Sequence, residues 1–179
     1  SAGVNPIDYK IIEGQLKALQ KLKFPAQIGF DVAGVVIEKG EEVTNFNIGD
    51  KVYSRVSGDQ PGTFAEFIAI DCNLASHMPN NLSFNEASSL PLVALTTIQS
   101  FEKAELKAND KILIHAGSGG IGTFAIQYAK SKGAFVYTTT STNNVEWVRG
   151  LGADVVIDYK KDNYQDIVKD IDVVYDTLG

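Results

Sequence analysis

Gly117, Gly119 and Gly122 stand at G-x-G-x-x-G spacing within Ala116-Gly117-Ser118-Gly119-Gly120-Ile121-Gly122. Without a Cβ, a backbone can pass close to a pyrophosphate, and the free N–H groups and positive dipole end of a following helix can hold the anion. That chemistry requires a strand before the turn and a helix after it. Lys111-Ile112-Leu113-Ile114-His115 is a short β-branched and apolar run that predicts a buried strand. Ile121, Phe124, Ala125, Tyr128 and Ala129 then recur at i, i+3, i+4, i+7 and i+8, an apolar helical stripe. The helix runs out near Lys130-Ser131-Lys132-Gly133, with basic residues in its last turn and a glycine after it. The bland interpretation is an ordinary tight strand–helix turn. The flanking elements favour dinucleotide binding, with Gly117, Ser118, Gly119, Gly120, Ile121 and Gly122 as the phosphate cradle.

A second group bears on which dinucleotide. An NAD site places Asp or Glu at the end of the next strand, about 20 residues on, to bond the ribose 2′-OH. Here that strand runs into Thr138-Thr139-Thr140-Ser141-Thr142-Asn143-Asn144. No acid stands there to repel a 2′-phosphate, while Thr140, Ser141 and Asn144 offer hydroxyls and an amide. Glu146 is the nearest acid and is expected inside the next helix. The expected cofactor is NADPH.

The elements that must position these groups change character along the chain. Asn5-Pro6-Ile7-Asp8 predicts a turn, with a short helix over Tyr9–Glu13 closed by Gly14. Gln15–Lys23 reads as a polar surface segment ended by Pro25. Phe30–Glu38 predicts a strand whose Gly34 suggests a bulge or close packing. Lys39–Glu42 and Asn47–Asp50 are turns. Lys51–Ser54 and Thr63–Ile70 are further strands, with a polar loop over Ser57–Gly62. Short strands at this spacing suggest a small barrel. Near residue 83 the pattern shifts. Ser83 and Glu86 have capping-box spacing before a helix that Pro91 interrupts, and Val93–Glu105 continues helical. From Asp110 strands and helices alternate: strands at Ala134–Thr139, Val155–Ile157 and Asp172–Asp176, helices at Asn143–Leu151 and Asn163–Lys169. That alternation predicts a parallel sheet, of which four strands are counted.

Composition excludes several classes. The 179 residues carry a net charge of −6 and 44% hydrophobic residues, with no basic stripe for nucleic acid and no apolar run of membrane-spanning length. Cys72 is the single cysteine, so no internal disulfide and no thiolate metal cluster can form. A cytoplasmic protein is expected. His77 and His115 have no Ser, Cys or acidic partner at a useful spacing and are read as structural.

Taken in succession, Gly3-Val4-Asn5-Pro6-Ile7-Asp8-Tyr9-Lys10, Gly29–Gly34, Gly49–Tyr53, Gly62–Phe67, Thr96, the glycine turn, and Gly152–Asp154 with Ile157-Asp158-Tyr159 resemble the medium-chain dehydrogenase/reductase superfamily. The similarity is to its zinc-free branch, the quinone oxidoreductases and 2-alkenal reductases, and covers essentially the whole chain. It implies an α/β fold: a Rossmann-type parallel sheet (first four strands) plus part of a GroES-like β-barrel domain, with the active site in the cleft between. The expected domains are 1–94, GroES-like without its N-terminal strands, and 95–179, NAD(P)-binding without its C-terminal part. Both ends look cut, since family members are considerably longer, and Asp172–Asp176 is expected at an open sheet edge.

The resemblance also implies roles. Asn5 occupies the position of a zinc-ligand cysteine in the zinc alcohol dehydrogenases, and Phe30 that of a zinc-ligand histidine, so no metal is expected. Asn5 is read equally as a turn residue bonding its own backbone and as an active-site or cofactor contact. Lys10 matches a lysine expected near the nicotinamide ribose and substrate oxygen, where a solvated lysine is the plain alternative. Asn5 and Lys10 are thus the catalytic candidates. Thr96 matches a threonine beside the nicotinamide, or else a helix residue back-bonding to the preceding turn. Tyr159 matches a tyrosine near the adenine ribose phosphate, with a structural tyrosine at a strand end the equally common alternative. Asn144 stands where several members carry a lysine. The implied reaction is NADPH-dependent hydride transfer to a quinone or to the C=C bond of an α,β-unsaturated carbonyl. The implied partner is that small molecule, with neither nucleic acid nor membrane, in a full-length homo-oligomer. The alternative is a dinucleotide-binding member of the same superfamily without significant turnover, crystallin-like or an inactive fragment.

Overall fold

The computed structural model describes residues 1–16, 25–58 and 62–178. Most of the Gln15–Lys23 segment and the middle of the Ser57–Gly62 loop lie outside the described residues. The chain divides into two units, Ser1–Leu92 and Val93–Gly179.

In the first unit a four-stranded antiparallel sheet runs in the order β1 (Ala2–Gly3), β2 (Asp31–Val35), β3 (Lys51–Arg55), β4 (Ala75–His77). Two helices accompany it, α1 (Pro6–Ile12) and α2 (Phe84–Ser88). Turn chemistry sets the register of β3. The Asp50 carboxylate accepts the Asn47 N–H at 2.8 Å, and Gly49 takes φ +95°, a left-handed value that glycine adopts without strain. Ala33, Met78 and Ala87 form a small core with Tyr53, Leu82 and Phe84 against it. The Ser83–Glu86 capping box forms as expected: the Glu86 carboxylate accepts the Ser83 N–H at 2.8 Å and the Ser83 hydroxyl accepts the Glu86 N–H at 3.3 Å.

Three expectations change here. Gly34 is neither a bulge nor a close contact: it pairs regularly with Val52, and a Cβ built on it would meet nothing within 4 Å. Thr63–Ile70 is not a strand. The Gly62 and Thr63 N–H groups reach Gly29 O and the Phe64 N–H reaches Ile28 O, but no ladder continues, and Phe67 is 72% exposed. The segment is rich in apolar residues, Phe64, Phe67 and Ile70 among them, yet a strand needs a neighbour whose N–H and C=O groups match its own. Third, the sheet is open among the described residues rather than closed into a barrel. The extended segment instead walls a groove of about 980 Å³ with Val35, Ile37, Phe64 and Phe67 on its lining.

The second unit contains α3 (Pro91–Lys103), which begins two residues before it, and a four-stranded parallel sheet. Pro91 starts α3 rather than interrupting a helix, at a position where its missing N–H costs nothing. The sheet comprises β5 (Lys111–Ile114), β6 (Phe135–Thr140), β7 (Val155–Asp158) and β8 (Val173–Tyr175) in the order β7-β6-β5-β8. Its helices are α4 (Gly120–Ser131), α5 (Val145–Gly150) and α6 (Tyr164–Ile167). Thr142–Asn144 forms a 3₁₀ turn where the sequence predicted the first helical residues of α5. Ile112, Ile114, Ile126, Val136 and Val148 have no exposed surface and form the core.

The buried stripe of α4 is Gly122, Ala125, Ile126 and Ala129, rotated one residue from the predicted one. Phe124 and Tyr128 instead stack on its flank, 5.8 Å between ring centroids, and Tyr128 meets Phe101 at 5.9 Å. α4 ends as predicted, with Lys130 in its last turn and Gly133 at φ +82°. Among the described residues β8 pairs only with β5 and lies at the sheet edge, as expected for that segment.

Candidate functional site

β5 ends at Ile114, and the chain turns sharply into α4. The His115 N–H bonds Tyr175 O and the Gly117 N–H bonds Thr139 O at 2.9 Å, so the turn hangs from both neighbouring strands. Ala116 sits at φ +54°, a left-handed conformation that its Cβ disfavours. Its carbonyl accepts the Gly119 N–H at 2.9 Å and lies directly against Gly122, where a Cβ would collide with it and with Gly117 Cα. Gly117 is equally excluded from bearing a side chain, since one would strike the Thr138 hydroxyl. These two glycines are buried and serve the packing of turn, helix and sheet.

Gly119 differs. It is exposed, and the nearest atom a Cβ there would meet is Ala116 O at 3.3 Å. That contact is tight but is with a single backbone oxygen, so internal packing presses less on Gly119 than on Gly117 or Gly122, and its open side leaves room for close approach of an outside group. The adjoining Ser118 is half-buried, Gly120 exposed and Ile121 half-buried. The first-turn N–H groups of Gly120, Ile121 and Gly122 have no helical acceptor. Gly119 supplies no capping side chain, and the first turn carries no acid. Open N–H groups, a dipole end and an uncluttered approach fit a dinucleotide pyrophosphate.

The end of β6 faces the same end of the sheet. Thr138 and Thr140 are buried. The Thr138 hydroxyl donates to Ile114 O at 2.8 Å, but Thr140 Oγ1 is buried with no partner. The Asn144 amide donates to Ser141 Oγ at 3.2 Å, and the Trp147 indole donates to Asn144 Oδ1 at 3.2 Å. Tyr159 donates its N–H to Thr140 O at 3.1 Å and is itself 58% exposed. The structure thus gathers Thr140, Ser141, Asn144 and Tyr159 at one rim.

It also brings in an acid that reading β6 alone missed. Asp158, opposite Thr140 in the parallel register, is 6% exposed. Burial pushes its carboxyl up, but bonds from the Thr142 hydroxyl and the Lys160 N–H and the Lys161 ammonium outweigh that and hold it below the usual range. Lys161 Nζ stands 3.5 Å from Asp158 Oδ2. A strand-end acid is therefore present: its Oδ1 accepts the Lys160 N–H at 3.1 Å, while its buried Oδ2 has the Lys161 charge nearby but no well-formed hydrogen bond. The only sequence signal was its place at the end of the third parallel strand.

His115 and His77 take structural places, as read. His115 Nδ1 lies 3.0 Å from the Thr139 hydroxyl with its ring edge-on to Tyr164, and His77 packs on Phe46 at 4.9 Å. Thr96 is exposed on α3. The back-bonding hydroxyl there is its neighbour's, Thr97 Oγ1 to Val93 O at 2.9 Å.

In the first unit, Asn5 caps α1. Its N–H donates to Asp8 Oδ2 at 2.6 Å, and its side-chain amide donates to Asp31 Oδ2 at 2.9 Å. Asn5 thus sits at the N-cap of α1, and its amide reaches across to β2 rather than to its own backbone, a link that the sequence did not suggest. Asp8 is 2% exposed and Asp31 has no exposed surface; Oδ1 of each lacks a well-formed partner. Burial pushes Asp8 up, opposed by the bond from the Asn5 N–H. Burial pushes Asp31 up to about 6, against the Asn5 amide, the Leu92 N–H and the Arg55 charge, with Asp8 adding to the rise. Lys10 lies exposed in the last turn of α1. Among the described residues, no group of three or more His, Cys, Asp or Glu side chains could hold a metal ion. Among them, too, no helix is long and apolar enough to cross a membrane.

Residues 1–80 match the family model of the alcohol dehydrogenase GroES-like domain, and residues 120–179 match that of the zinc-binding dehydrogenases. The chain is 39% identical over its whole length to 2-methylene-furan-3-one reductase of Solanum lycopersicum, covering 48% of that protein. It is 38% identical, again over its whole length and 48% of the relative, to the chloroplastic NADPH-dependent alkenal/one oxidoreductase of Arabidopsis thaliana. The solved quinone oxidoreductase of Coxiella burnetii superposes with a TM-score of 0.87 at 39% identity, over 99% of this chain and 57% of that one. The chain spans about half the length of the curated relatives it matches. Glycine turn, sheet order and both matched regions agree: the chain belongs to the medium-chain dehydrogenases/reductases of the quinone oxidoreductase type.

Proposed function

We propose that this chain is part of an NADPH-dependent, zinc-independent oxidoreductase that reduces the C=C bond of an α,β-unsaturated carbonyl or a quinone. The observation that carries the cofactor is Gly119, exposed and clear of side-chain neighbours beside the uncapped first turn of α4. The relatives named as an NADPH-dependent alkenal/one oxidoreductase and a furanone reductase supply the substrate class.

The dinucleotide, when bound, supplies a hydride. Gly117–Gly122 shape the cradle for its pyrophosphate, and the N–H groups left open in the first turn of α4, those of Gly120 and Ile121 among them, would hold it. Thr140, Ser141, Asn144 and Tyr159 receive the adenosine ribose and its 2′-phosphate. Thr96 serves the nicotinamide end. Asn5 holds the start of α1 and contributes what donor capacity remains on its amide.

Reduction at the β-carbon leaves negative charge on the substrate carbonyl oxygen. Asn5 and Phe30 replace two zinc ligands of the metal-dependent branch, so that charge needs another partner. Lys10 is the cation we assign to it. Removing one preorganised donor of this kind costs about 10²–10³ in kcat. Lys10→Ala in the intact protein is therefore expected to lower turnover of enones by that factor while NADPH still binds. A folded Lys10→Ala protein with near-wild-type turnover returns Lys10 to the solvated surface. The compartment is read as cytoplasmic. Because one relative is named as chloroplastic, cell fractionation is the direct check.

A further inference from the structure

We propose that Asp31 is a positioning residue for Lys10: through Asn5 it pins the start of α1 to the sheet, and so sets where the last turn of that helix presents the ammonium. The inference rests on the reading of Lys10 as the enolate-stabilising group. A helix of seven residues is marginal on its own, so its placement comes from its attachments. One is apolar, Ile11, 6% exposed. The other is polar and joins residues far apart in sequence, the Asn5 amide bonding Asp31 Oδ2 at 2.9 Å. Asp8 closes that end by accepting the Asn5 N–H at 2.6 Å. Asp31 is itself held in the ladder between Gly3 and Arg55, so the tether has a rigid base.

The chemistry of the base argues for a role. A buried carboxylate held by only two donors, the Asn5 amide and the Leu92 N–H, beside a second buried carboxylate is a costly choice where an apolar residue would fill the space. Its ionised form takes donors from two directions, the Asn5 amide and the Leu92 N–H. A proton on either oxygen removes one of those places. The charged groups facing it are Asp8 of α1, which disfavours its ionisation, and Arg55 of β3, which favours it. Because burial lifts Asp31 to about 6, the change of state falls where turnover can be measured.

The test uses the intact protein, NADPH and a short enone, from about pH 5 to pH 8. Wild-type kcat is expected to fall on the acid side with a midpoint near 6 as Asp31 takes up a proton. Asp31→Asn is expected to lower kcat about tenfold, to flatten that limb and to leave the NADPH Kd within about twofold. The Lys10→Ala/Asp31→Asn pair should turn over no more slowly than Lys10→Ala alone, since a residue acting through Lys10 has nothing further to lose. Asn5→Ala severs the same tether from the outer side and should show the same non-additivity, which keeps the test available if Asp31→Asn fails to fold. Independently of turnover, the Lys10 ¹³Cε signal of the cofactor-free protein should inflect near 6 and lose that inflection in Asp31→Asn. A strong Lys10→Ala loss to which the Asp31→Asn loss adds in full, or an acid limb that persists in Asp31→Asn, overturns this inference alone. Near-wild-type turnover of Lys10→Ala overturns the Lys10 reading and this one with it.

Discussion

Replacing Asp31 by Asn should make stability depend on pH in a way that can be worked out in advance. The carboxyl sits at about 6 in the folded chain against 3.8 as its ordinary value. Folding therefore tightens its hold on a proton. Such a group contributes stability below 3.8 that is lost as pH rises through the folded value. The full loss is the difference, 6 − 3.8, times 1.36 kcal/mol per unit, or about 3 kcal/mol. Asparagine has no charge to bury. The stability of Asp31→Asn minus wild type should sit at a constant baseline in acid, climb through the window from 3.8 to 6, and level off about 3 kcal/mol higher near neutrality. The observable must report the first unit. The chain's one tryptophan, Trp147, lies in the second, so indole fluorescence would follow the wrong transition. Urea unfolding followed by the amide signals of Ala33 and Val56 reads the correct one, since both N–H groups are bonded in or beside β2. A difference that stays flat from acid to neutral pH would show that Asp31 is solvated or fully compensated, and the reasoning from burial would fail.

The two kinds of glycine in the turn should separate in experiment. Gly122→Ala drives a Cβ into backbone and is expected to destabilise by about 1–3 kcal/mol in thermal melts. Gly119→Ala meets only Ala116 O, at 3.3 Å, and should destabilise less than Gly122→Ala, yet weaken NADPH at least about tenfold by calorimetric titration. Ser141→Asp places an acid at the end of β6 and should cut the NADPH-over-NADH ratio in kcat/KM about tenfold; an unchanged ratio would move the 2′-phosphate elsewhere. Elemental analysis of the purified intact protein should find zinc well below one equivalent.

What the sequence could reveal follows from how local each feature is. The glycine turn is written in consecutive residues, and its flanking strand and helix are each readable from their own periodicity. The core face of α4 was readable only to within one residue. Ile121, Phe124 and Tyr128 are as apolar as Ala125, Ile126 and Ala129, and the choice between the stripes is made by Gly122 pressing on Ala116. Thr63–Ile70 has the apolar content of a strand, but composition says nothing about whether a partner ladder exists. Asp31 and Asp8 look like ordinary surface acids. Their burial depends on β2 pairing with β1 and β3 and on Asn5 reaching across 26 residues. Asp158 escaped for the same reason: its nearness to Thr140 is a property of two parallel strands joined by a helix, not of either strand alone.

Ala116 has one more consequence. Its left-handed backbone costs about 1 kcal/mol for a residue with a Cβ. That strain is taken up once, when the chain folds, because the same carbonyl that receives Gly119 also wedges against Gly122. The loop consequently has little freedom left to surrender to an anion. Association of the dinucleotide should therefore run at an encounter-limited rate with no slow isomerisation after contact, and its affinity should reside in the rate of departure.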